Sequence, residues 1–252
     1  MLVLRTLPTL ESDVWYFAYG SNLDYNKFVV DRGIIPLSSE LVTVPDWSLE
    51  MDSAGFPYSE PSFGSVTYQG WSSRESGGIQ VIGTAYKLTP KMYTKVLASE
   101  GGGIAYVEVE VRAAKVRTEA APDVQDKKQT FPVRTLVTAM RREAKPSLRY
   151  MELVCSGARE ARVPDAYQDY LEAIPVYHPP ESKTARLGAS LFRLVWSPIF
   201  SALERITKGS LIDSDTGNAP FVVVALVRGA VYAMWFHHDY LHAPIWGRGD
   251  GM

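Results

Sequence analysis

Two stretches of this sequence, one near residue 20 and one near residue 100, carry residue types that could do chemistry. Val14 to Ala18 is a run of aliphatic and aromatic residues, which is typical of a buried strand. Gly20-Ser21-Asn22 follows it, and these residues tolerate tight turns and close approach of the backbone. Such a loop can direct several backbone N–H groups into one cavity, where they stabilise an anion or a developing oxyanion. An ordinary strand-to-loop turn fits the same residues equally well.

Glu100 is the second candidate because it stands where a predicted helix meets three consecutive glycines, Gly101 to Gly103. A carboxylate at a helix C-terminus lies at the negative end of the helix dipole, which favours uptake of a proton, and burial favours it further. A carboxyl group tuned in this way is suited to general acid–base catalysis. On composition alone, a solvent-facing glutamate in a flexible loop is the favoured interpretation.

The bulk composition restricts the function class. The chain has 252 residues, 46% of them hydrophobic, which is enough for one large domain or a domain with an appendage. Its net charge of −2 lacks the basic character of nucleic-acid binders, so we expect no nucleic-acid partner. Cys155 is the single cysteine, which excludes an intramolecular disulfide and a cysteine-based zinc site. The first eight residues do not form a secretory signal pattern, and we expect a cytoplasmic location.

Strand patterns dominate the first 140 residues and helical spacing follows them. We predict a helix from Pro90 to about Ser99, with Thr89 as its N-cap, and two later helices, one ended by Gly157 and one begun by Pro164. Residues 118–130 are charged and polar and predict an exposed hairpin tip. The predicted strands are 14–18, 41–51 with a bend at Pro45, 64–68, 79–88, 105–116 and 133–140.

Residues 180–252 have a different character, and we predict a domain boundary near residue 180. A helical pattern at 191–203 is interrupted by Pro198, and the segment is rich in aromatic residues. Phe221 to Phe236 is apolar but contains Arg228 and Gly229, and it is shorter than the roughly eighteen apolar residues of a typical membrane span. We predict two buried strands around a turn, or one long core strand. Membrane association is the less favoured alternative.

Several separated blocks give the chain a family resemblance. Tyr16 to Leu23, taken with Glu100-Gly101 and Tyr106, resembles the signature of the γ-glutamylcyclotransferase family. The later blocks 146–150, 155–160 and 164–174 agree with the family in order and spacing, so the resemblance covers about residues 14–178. The chain is also similar to the fungal branch of this family found in epidithiodiketopiperazine toxin pathways, such as that for gliotoxin.

The resemblance implies both a fold and a reaction. The fold is an α+β domain, a small mixed β-barrel with flanking helices, which would occupy residues 1–179 and be followed by the extension at 180–252. In the reaction, a small-molecule γ-glutamyl substrate attacks its own γ-carbonyl through its α-amine and releases 5-oxoproline and an amine. The enzyme would therefore be a lyase. No metal and no organic cofactor are expected.

The resemblance also assigns roles to residues. Glu100 would carry both proton transfers, and the loop formed by Gly20, Ser21, Asn22 and Leu23 would hold the glutamyl group. Three tyrosines would line the pocket and bind the substrate: Tyr19, Tyr106 and Tyr150. The strand Arg134 to Thr138 lacks the tyrosine found there in the animal enzymes, so substrate contacts on that side are expected to differ.

Two further interpretations stay open. His238 and His242 are four residues apart, which on a helix would place both imidazoles on one face, but the zinc-protease glutamate is absent and a structural role is favoured. For the function, the leading hypothesis is cleavage of a glutathione-derived adduct in secondary metabolism. The alternatives are a γ-glutamylamine cyclotransferase acting on crosslink dipeptides, and a non-catalytic barrel that binds a metabolite or a partner.

Overall fold

The barrel is formed by one sheet that closes on itself. The computed structural model describes residues 12–71, 79–116, 130–210 and 216–252. Within these residues the strand order is β3-β2-β4-β1-β6-β5, and pairing of β2 with β5 closes five strands into a barrel to which β3 is attached. The predicted α+β barrel with flanking helices is therefore confirmed. The strands are β1 Val14–Ala18, β2 Ser38–Phe56, β3 Glu60–Tyr68, β4 Gln80–Leu88, β5 Tyr106–Lys115 and β6 Phe131–Thr138.

β2 closes the barrel because it bends. Its pairing with β4 shifts register between Thr43 and Ser48, where Pro45 removes a backbone donor and Asp46 has a φ of 65°. A second shift lies between Glu50 and Ser53 in its pairing with β3. The first half of β2 contacts β4 and β5 while the second half contacts β3. Strand bending of this kind is what curvature and closure require.

Two of the predicted helices begin where the sequence indicated. Helix α1, Pro90–Ser99, has Thr89 as its N-cap, whose side chain accepts a hydrogen bond from the Met92 N–H at 3.3 Å. Helix α3, Asp165–Glu172, follows Pro164. Helix α2, Leu148–Glu160, continues past Gly157, so the prediction that this glycine ends the helix was wrong.

Gly157 has a packing role instead. A Cβ atom at this position would lie 2.3 Å from the Asp24 backbone nitrogen and 2.6 Å from the Leu23 carbonyl carbon. The glycine therefore allows α2 to lie directly against the turn that follows β1.

Other sequence predictions need adjustment. The strand predicted at 41–51 extends to Phe56, and the strand predicted at 64–68 begins already at Glu60. The predicted hairpin tip at 118–130 lies outside the described residues except for Thr130.

The extension is helical where strands had been predicted. Helix α4, Lys183–Ser210, continues through Pro198, and helix α5, Phe221–Phe236, replaces the predicted strand pair. An apolar run without clear periodicity does not by itself distinguish a buried strand from a helix, and the length of this run, 16 residues, favours the helix that is observed. A π-helical segment, His237–His242, and helix α6, Ala243–Trp246, follow helix α5.

Helix α5 presents one face to the protein and the other to the outside. Val227, Val231, Met234 and Trp235 are buried. The helical stretch Phe221–Trp246 is long and apolar enough to cross a membrane by length and composition, with 28% of its apolar window buried inside the protein. Membrane association of the extension stays a prediction, and the less favoured alternative.

The extension is attached to the barrel by packing and by its C-terminal tail, which we define as residues 247–252. Phe192, Met234 and Trp235 share an apolar cluster with Tyr58 of the β2–β3 turn. The Trp235 indole N–H donates to the Gly55 carbonyl oxygen at 3.2 Å. The Tyr58 N–H donates to the Gly249 carbonyl oxygen at 2.6 Å.

Two histidines of the extension, His238 and His242, contact the Tyr58 ring of the β2–β3 turn, with ring centroids 5.5 Å apart in each case. The Nε2 atom of His238 accepts the Gly249 N–H at 3.2 Å, so its Nδ1 carries the proton that is shared with Asp239 at 2.9 Å. His242 Nε2 lies 2.9 Å from the Gly188 carbonyl oxygen. Burial lowers the pKa of both His238 and His242, so both imidazoles are neutral near pH 7.

His238, Asp239 and Asp250 also bring potential metal-binding atoms within 4.8 Å of one another. Protein groups already bind these atoms. Arg142 pairs with Asp239, and Arg248 pairs with Asp250, so a cation would compete with two guanidinium groups. The hydrogen bonds and ion pairs that hold the tail against His238 and Asp239 account for this arrangement.

Substitution of Gly157 by alanine should destabilise the fold, because the new methyl group would collide with the backbone of the turn after β1. We expect a loss of about 1–3 kcal/mol in the free energy of unfolding, measured by urea denaturation. Gly229→Ala is the matched control: this glycine also lies inside a helix, but its Cβ would meet nothing within 4 Å. The control should gain about 0.5–1 kcal/mol. Equal effects in the two variants would contradict the packing role.

Stability should decrease as the pH falls below about 6.5, the pKa of histidine in an unfolded chain. His238 and His242 have lowered pKa values in the folded protein, so protons bind preferentially to the unfolded state. Each histidine contributes a slope of up to about 1.4 kcal/mol per pH unit. His242→Gln should be less stable at pH 7 because ring packing is lost. The difference in unfolding free energy between wild type and His242→Gln should shrink toward pH 5, because only the wild type loses stability through protonation of His242. Urea denaturation at several pH values measures this difference, and a difference that does not change with pH would contradict a lowered pKa for His242.

Candidate active site

The turn after β1 is held in place from two sides. Ser21–Leu23 forms one 3-10 turn, in which the Leu23 N–H donates to the Gly20 carbonyl oxygen at 2.9 Å. Helix α2 packs against the turn at Gly157, as described above. Gly20 itself allows a close approach, because a Cβ there would lie 2.9 Å from the Tyr150 hydroxyl oxygen.

This turn and the end of helix α1 share one cavity. The cavity opens to solvent, and the space between its walls amounts to about 310 Å³ when the open mouth is included. Glu100 and the Gly20–Asn22 turn therefore meet although they are far apart in sequence. The lining residues are Tyr16, Tyr19, Gly20, Ser21, Asn22, Gly64, Glu100, Tyr106, Leu136 and Tyr150.

Of the residues predicted for the site, Leu23 is the exception. Its side chain is 2% exposed and belongs to the larger core cluster, and it does not line the cavity. The 3-10 turn directs successive side chains to different sides, so the Leu23 side chain lies in the core, and its predicted part in substrate binding stays a prediction. Leu23 anchors the turn in the core.

Glu100 is the C-cap of α1 and is largely enclosed. Its side chain is 17% exposed, so the solvent-facing interpretation does not hold. The Oε1 atom accepts a hydrogen bond from the Asn22 side-chain amide at 2.9 Å and forms an ion pair with Arg32. Arg32 also donates to the Ser99 hydroxyl at 2.8 Å.

Arg32 was missed by the sequence reasoning. It follows a π-helical segment, Asn26–Asp31, and nothing in its spacing indicates contact with Glu100. Its guanidinium places a positive charge directly beside the Glu100 carboxylate, which the sequence pattern did not indicate.

Asn22 has one buried atom without a partner. Its Nδ2 atom donates to Glu100 and to the Tyr16 hydroxyl at 2.8 Å, and its backbone carbonyl accepts from the Tyr86 hydroxyl at 3.3 Å. Within the described part of the chain, its Oδ1 atom has no hydrogen-bond donor, although the residue is only 5% exposed. An unsatisfied buried acceptor is costly, and a ligand that donates a hydrogen bond would remove the cost.

The tyrosines form the walls of the cavity. Tyr19 donates to the Leu136 carbonyl oxygen, and Tyr106 donates to the Gly64 carbonyl oxygen at 3.0 Å. The Tyr150 hydroxyl accepts the Gly64 N–H at 3.0 Å. Burial raises the pKa of Tyr150 to about 12 and raises the pKa values of Tyr19 and Tyr106 above the usual range. These hydroxyls therefore stay protonated and serve as hydrogen-bonding groups.

The strand without the expected tyrosine contributes an apolar wall. Leu136 lines the cavity, whereas Arg134 is buried and forms an ion pair with Glu108 at 3.0 Å. Tyr16 is a lining residue that the sequence reasoning did not select. Side chains two residues apart on a strand lie on the same face, so Tyr16 was expected to share a face with Ala18. Both side chains lie in the cluster beneath α1, next to the cavity.

Two family models match separate parts of the chain. The AIG2-like family matches residues 80–171, and the AclK C-terminal domain matches residues 182–245. The predicted division at residue 180 stays a prediction.

Curated relatives match almost the whole chain. The γ-glutamyl cyclotransferase aclK of Aspergillus oryzae is 41% identical over 98% of this chain and 94% of that protein. The γ-glutamyl cyclotransferase gliK of Aspergillus fumigatus is 38% identical over 94% of this chain and 89% of that protein. The gliK protein of Claviceps purpurea is 34% identical, with 89% and 97% covered.

Solved structures support the fold. A human protein described as uncharacterized gives a TM-score of 0.52 at 22% identity, covering 69% of this chain and 95% of that chain. A γ-glutamyl cyclotransferase gives a TM-score of 0.51 at 22% identity, covering 68% and 94%. Given its identity to the curated relatives over nearly their full length, the chain belongs to the γ-glutamyl cyclotransferase family.

Proposed function

We propose that this enzyme releases 5-oxoproline from a γ-glutamyl amine, with Glu100 as the group that moves protons. The observation that carries the proposal is the meeting of the Glu100 carboxylate with the Gly20–Asn22 turn in one cavity. The nucleophile belongs to the substrate, so the site needs no serine, cysteine or histidine nucleophile. It needs a base, donors for a developing oxyanion, and walls that hold the glutamyl chain in a bent conformation.

The first step is deprotonation of the substrate's α-ammonium group. The Glu100 carboxylate is the proposed acceptor of this proton, and its Oε1 atom is held by the Asn22 side-chain amide and by Arg32. The unpaired Oδ1 atom of Asn22 is a suitable acceptor for a second ammonium hydrogen. The neutral amine then attacks the γ-carbonyl carbon, and the new C–N bond closes the five-membered ring.

The second step is loss of the leaving amine. Glu100 returns its proton to the leaving nitrogen as the bond between that nitrogen and the γ-carbon breaks. The attacking nitrogen loses its second proton to solvent, and the released amine takes one up from solvent, so the protons balance. The proposed donors to the carbonyl oxygen or to the substrate's α-carboxylate are the backbone N–H groups of the Gly20–Asn22 turn and the protonated Tyr150 hydroxyl, which accepts the Gly64 N–H and has its own hydrogen to donate.

For the substrate, we propose a glutathione-derived adduct in fungal secondary metabolism. The leaving group is then the amine of what remains of the adduct after the glutamyl group is removed. The fungal origin of the relatives named above and the opening of the cavity to solvent support this choice, since a large leaving group can extend outward. A cytoplasmic location agrees with a glutathione-derived substrate. A competition assay between glutathione adducts and ε-(γ-glutamyl)-lysine separates this proposal from the crosslink alternative; faster turnover of the dipeptide would favour the latter.

Replacing Glu100 by glutamine should abolish most activity, because the amide keeps the side-chain shape but cannot accept the ammonium proton. We expect kcat to fall roughly 10²- to 10⁴-fold, measured as 5-oxoproline release. Glu110→Gln, an exposed glutamate on β5, is the control and should match wild type. Equal turnover by wild type and Glu100→Gln would reject the assigned role. A non-catalytic barrel predicts no product from either protein and binding that Glu100→Gln leaves unchanged.

Replacing Asn22 by leucine should lower kcat/KM by roughly 10²-fold, because both the acceptor for the ammonium group and the donor to Glu100 are lost. Asn26→Leu, at an exposed position close by in the chain, is the control. Thermal unfolding of both variants separates loss of function from loss of fold. A change in kcat/KM below about twofold in a folded Asn22→Leu protein would contradict the role of Asn22.

A further inference from the structure

The segment that follows Glu100 has little conformational preference of its own. Gly101, Gly102 and Gly103 have φ values of 87°, 57° and 83°, which glycine adopts most readily. The Gly102 N–H donates to the Leu97 carbonyl oxygen at 2.8 Å, which ends helix α1. We call residues 101–104 the glycine segment. It directly follows Glu100, which lines the cavity.

The C-terminal extension binds this segment at three consecutive carbonyl groups. The Ala219 N–H donates to the Gly102 carbonyl oxygen at 2.8 Å. The Arg228 side chain donates from Nη2 to the Gly103 carbonyl oxygen at 2.8 Å and from Nε to the Ile104 carbonyl oxygen at 2.9 Å. The extension therefore satisfies backbone groups that helix α1 and strand β5 leave over.

Apolar side chains of the extension also pack against the glycine segment. Ile104 is 7% exposed and lies in an apolar cluster with Leu203, Ala219 and Val227 of the extension. Gly217 approaches helix α1 so closely that a Cβ there would lie 2.5 Å from the Thr94 carbonyl oxygen. The extension thus contacts the last turns of α1 as well as the glycine segment.

Arg228 is the only charged residue in the sequence of α5, Phe221–Phe236. Its planar guanidinium reaches two neighbouring carbonyls at once, which a lysine ammonium on a flexible stem does less well. Arg228 is not among the residues that line the cavity, so any effect on catalysis passes through the backbone of Gly103 and Ile104.

We propose that the C-terminal extension holds the Glu100 carboxylate in its working position by binding the glycine segment, and that Arg228 is the positioning residue of this contact. The catalytic part rests on the proposed function of Glu100. The structural part, restraint of the glycine segment by Arg228, does not depend on that function.

The test compares three variants of the full chain. Arg228→Met removes both hydrogen bonds, and Arg228→Lys retains the charge but not the planar fork. Arg186→Met is the matched control, since Arg186 also donates from Nε and a terminal nitrogen to a backbone carbonyl, that of Glu181, within the extension. Steady-state kinetics give kcat and KM for 5-oxoproline release, and hydrogen–deuterium exchange reports on the peptide covering residues 100–106.

We expect Arg228→Met to lower kcat roughly 10- to 100-fold while KM changes less than about twofold, because the cavity walls stay in place and only the carboxylate is displaced. Exchange in residues 100–106 should accelerate in Arg228→Met, less so in Arg228→Lys, and not in Arg186→Met. Circular dichroism checks that each variant is folded, and Arg228→Lys provides the test if Arg228→Met is not.

Unchanged exchange in the glycine segment of a folded Arg228 variant would overturn the proposal. So would faster exchange with unchanged kcat, because the restraint would then have no catalytic consequence. If wild type releases no 5-oxoproline from any γ-glutamyl substrate, the proposed function fails, and the exchange measurement alone then decides whether Arg228 restrains the segment.

Discussion

The hydrogen bond between Asn22 and Glu100 joins two chain segments that must first be placed by the barrel. Strand β4 runs antiparallel to β1, so Leu88 at the end of β4 lies beside Val14 at the start of β1. Helix α1 follows β4 and must run back along β1 to reach the turn. Ten helical residues span about 15 Å, and five strand residues span about 16 Å. This match in length brings the C-terminus of α1 to the end of β1.

The packing beneath α1 makes that match rigid. Tyr93, Val96 and Leu97 on the inner face of the helix share a cluster with Tyr16 and other residues of β1 and β4. Tyr16 contributes to this cluster and also accepts a hydrogen bond from Asn22. Core and site are therefore continuous, and a change in the helix packing is expected to reach the Glu100 carboxylate directly.

The extension restrains the same carboxylate through the chain segment that follows Glu100. The barrel fixes where α1 ends, but the glycine segment beyond Glu100 has no side chains with which to pack until Ile104. Hydrogen bonds from Ala219 and Arg228 supply what the glycines lack. The tail reinforces this attachment, since the Lys145 N–H donates to the carbonyl oxygen of the buried Asp250 at 2.8 Å.

The sequence by itself determined the elements whose signals are local. Thr89-Pro90 and the glycine run define helix α1, and the Tyr16–Leu23 and Glu100 motifs, through their family resemblance, predicted the barrel and most cavity residues. Tertiary structure alone decided the place of Arg32, the burial of Leu23 in the core instead of the cavity wall, and the helical state of Phe221–Phe236. These depend on contacts between residues distant in the chain, and an apolar run or a lone arginine carries no local information about its partner. Their physical basis is packing and ion pairing across the fold, which exist only once the barrel has closed.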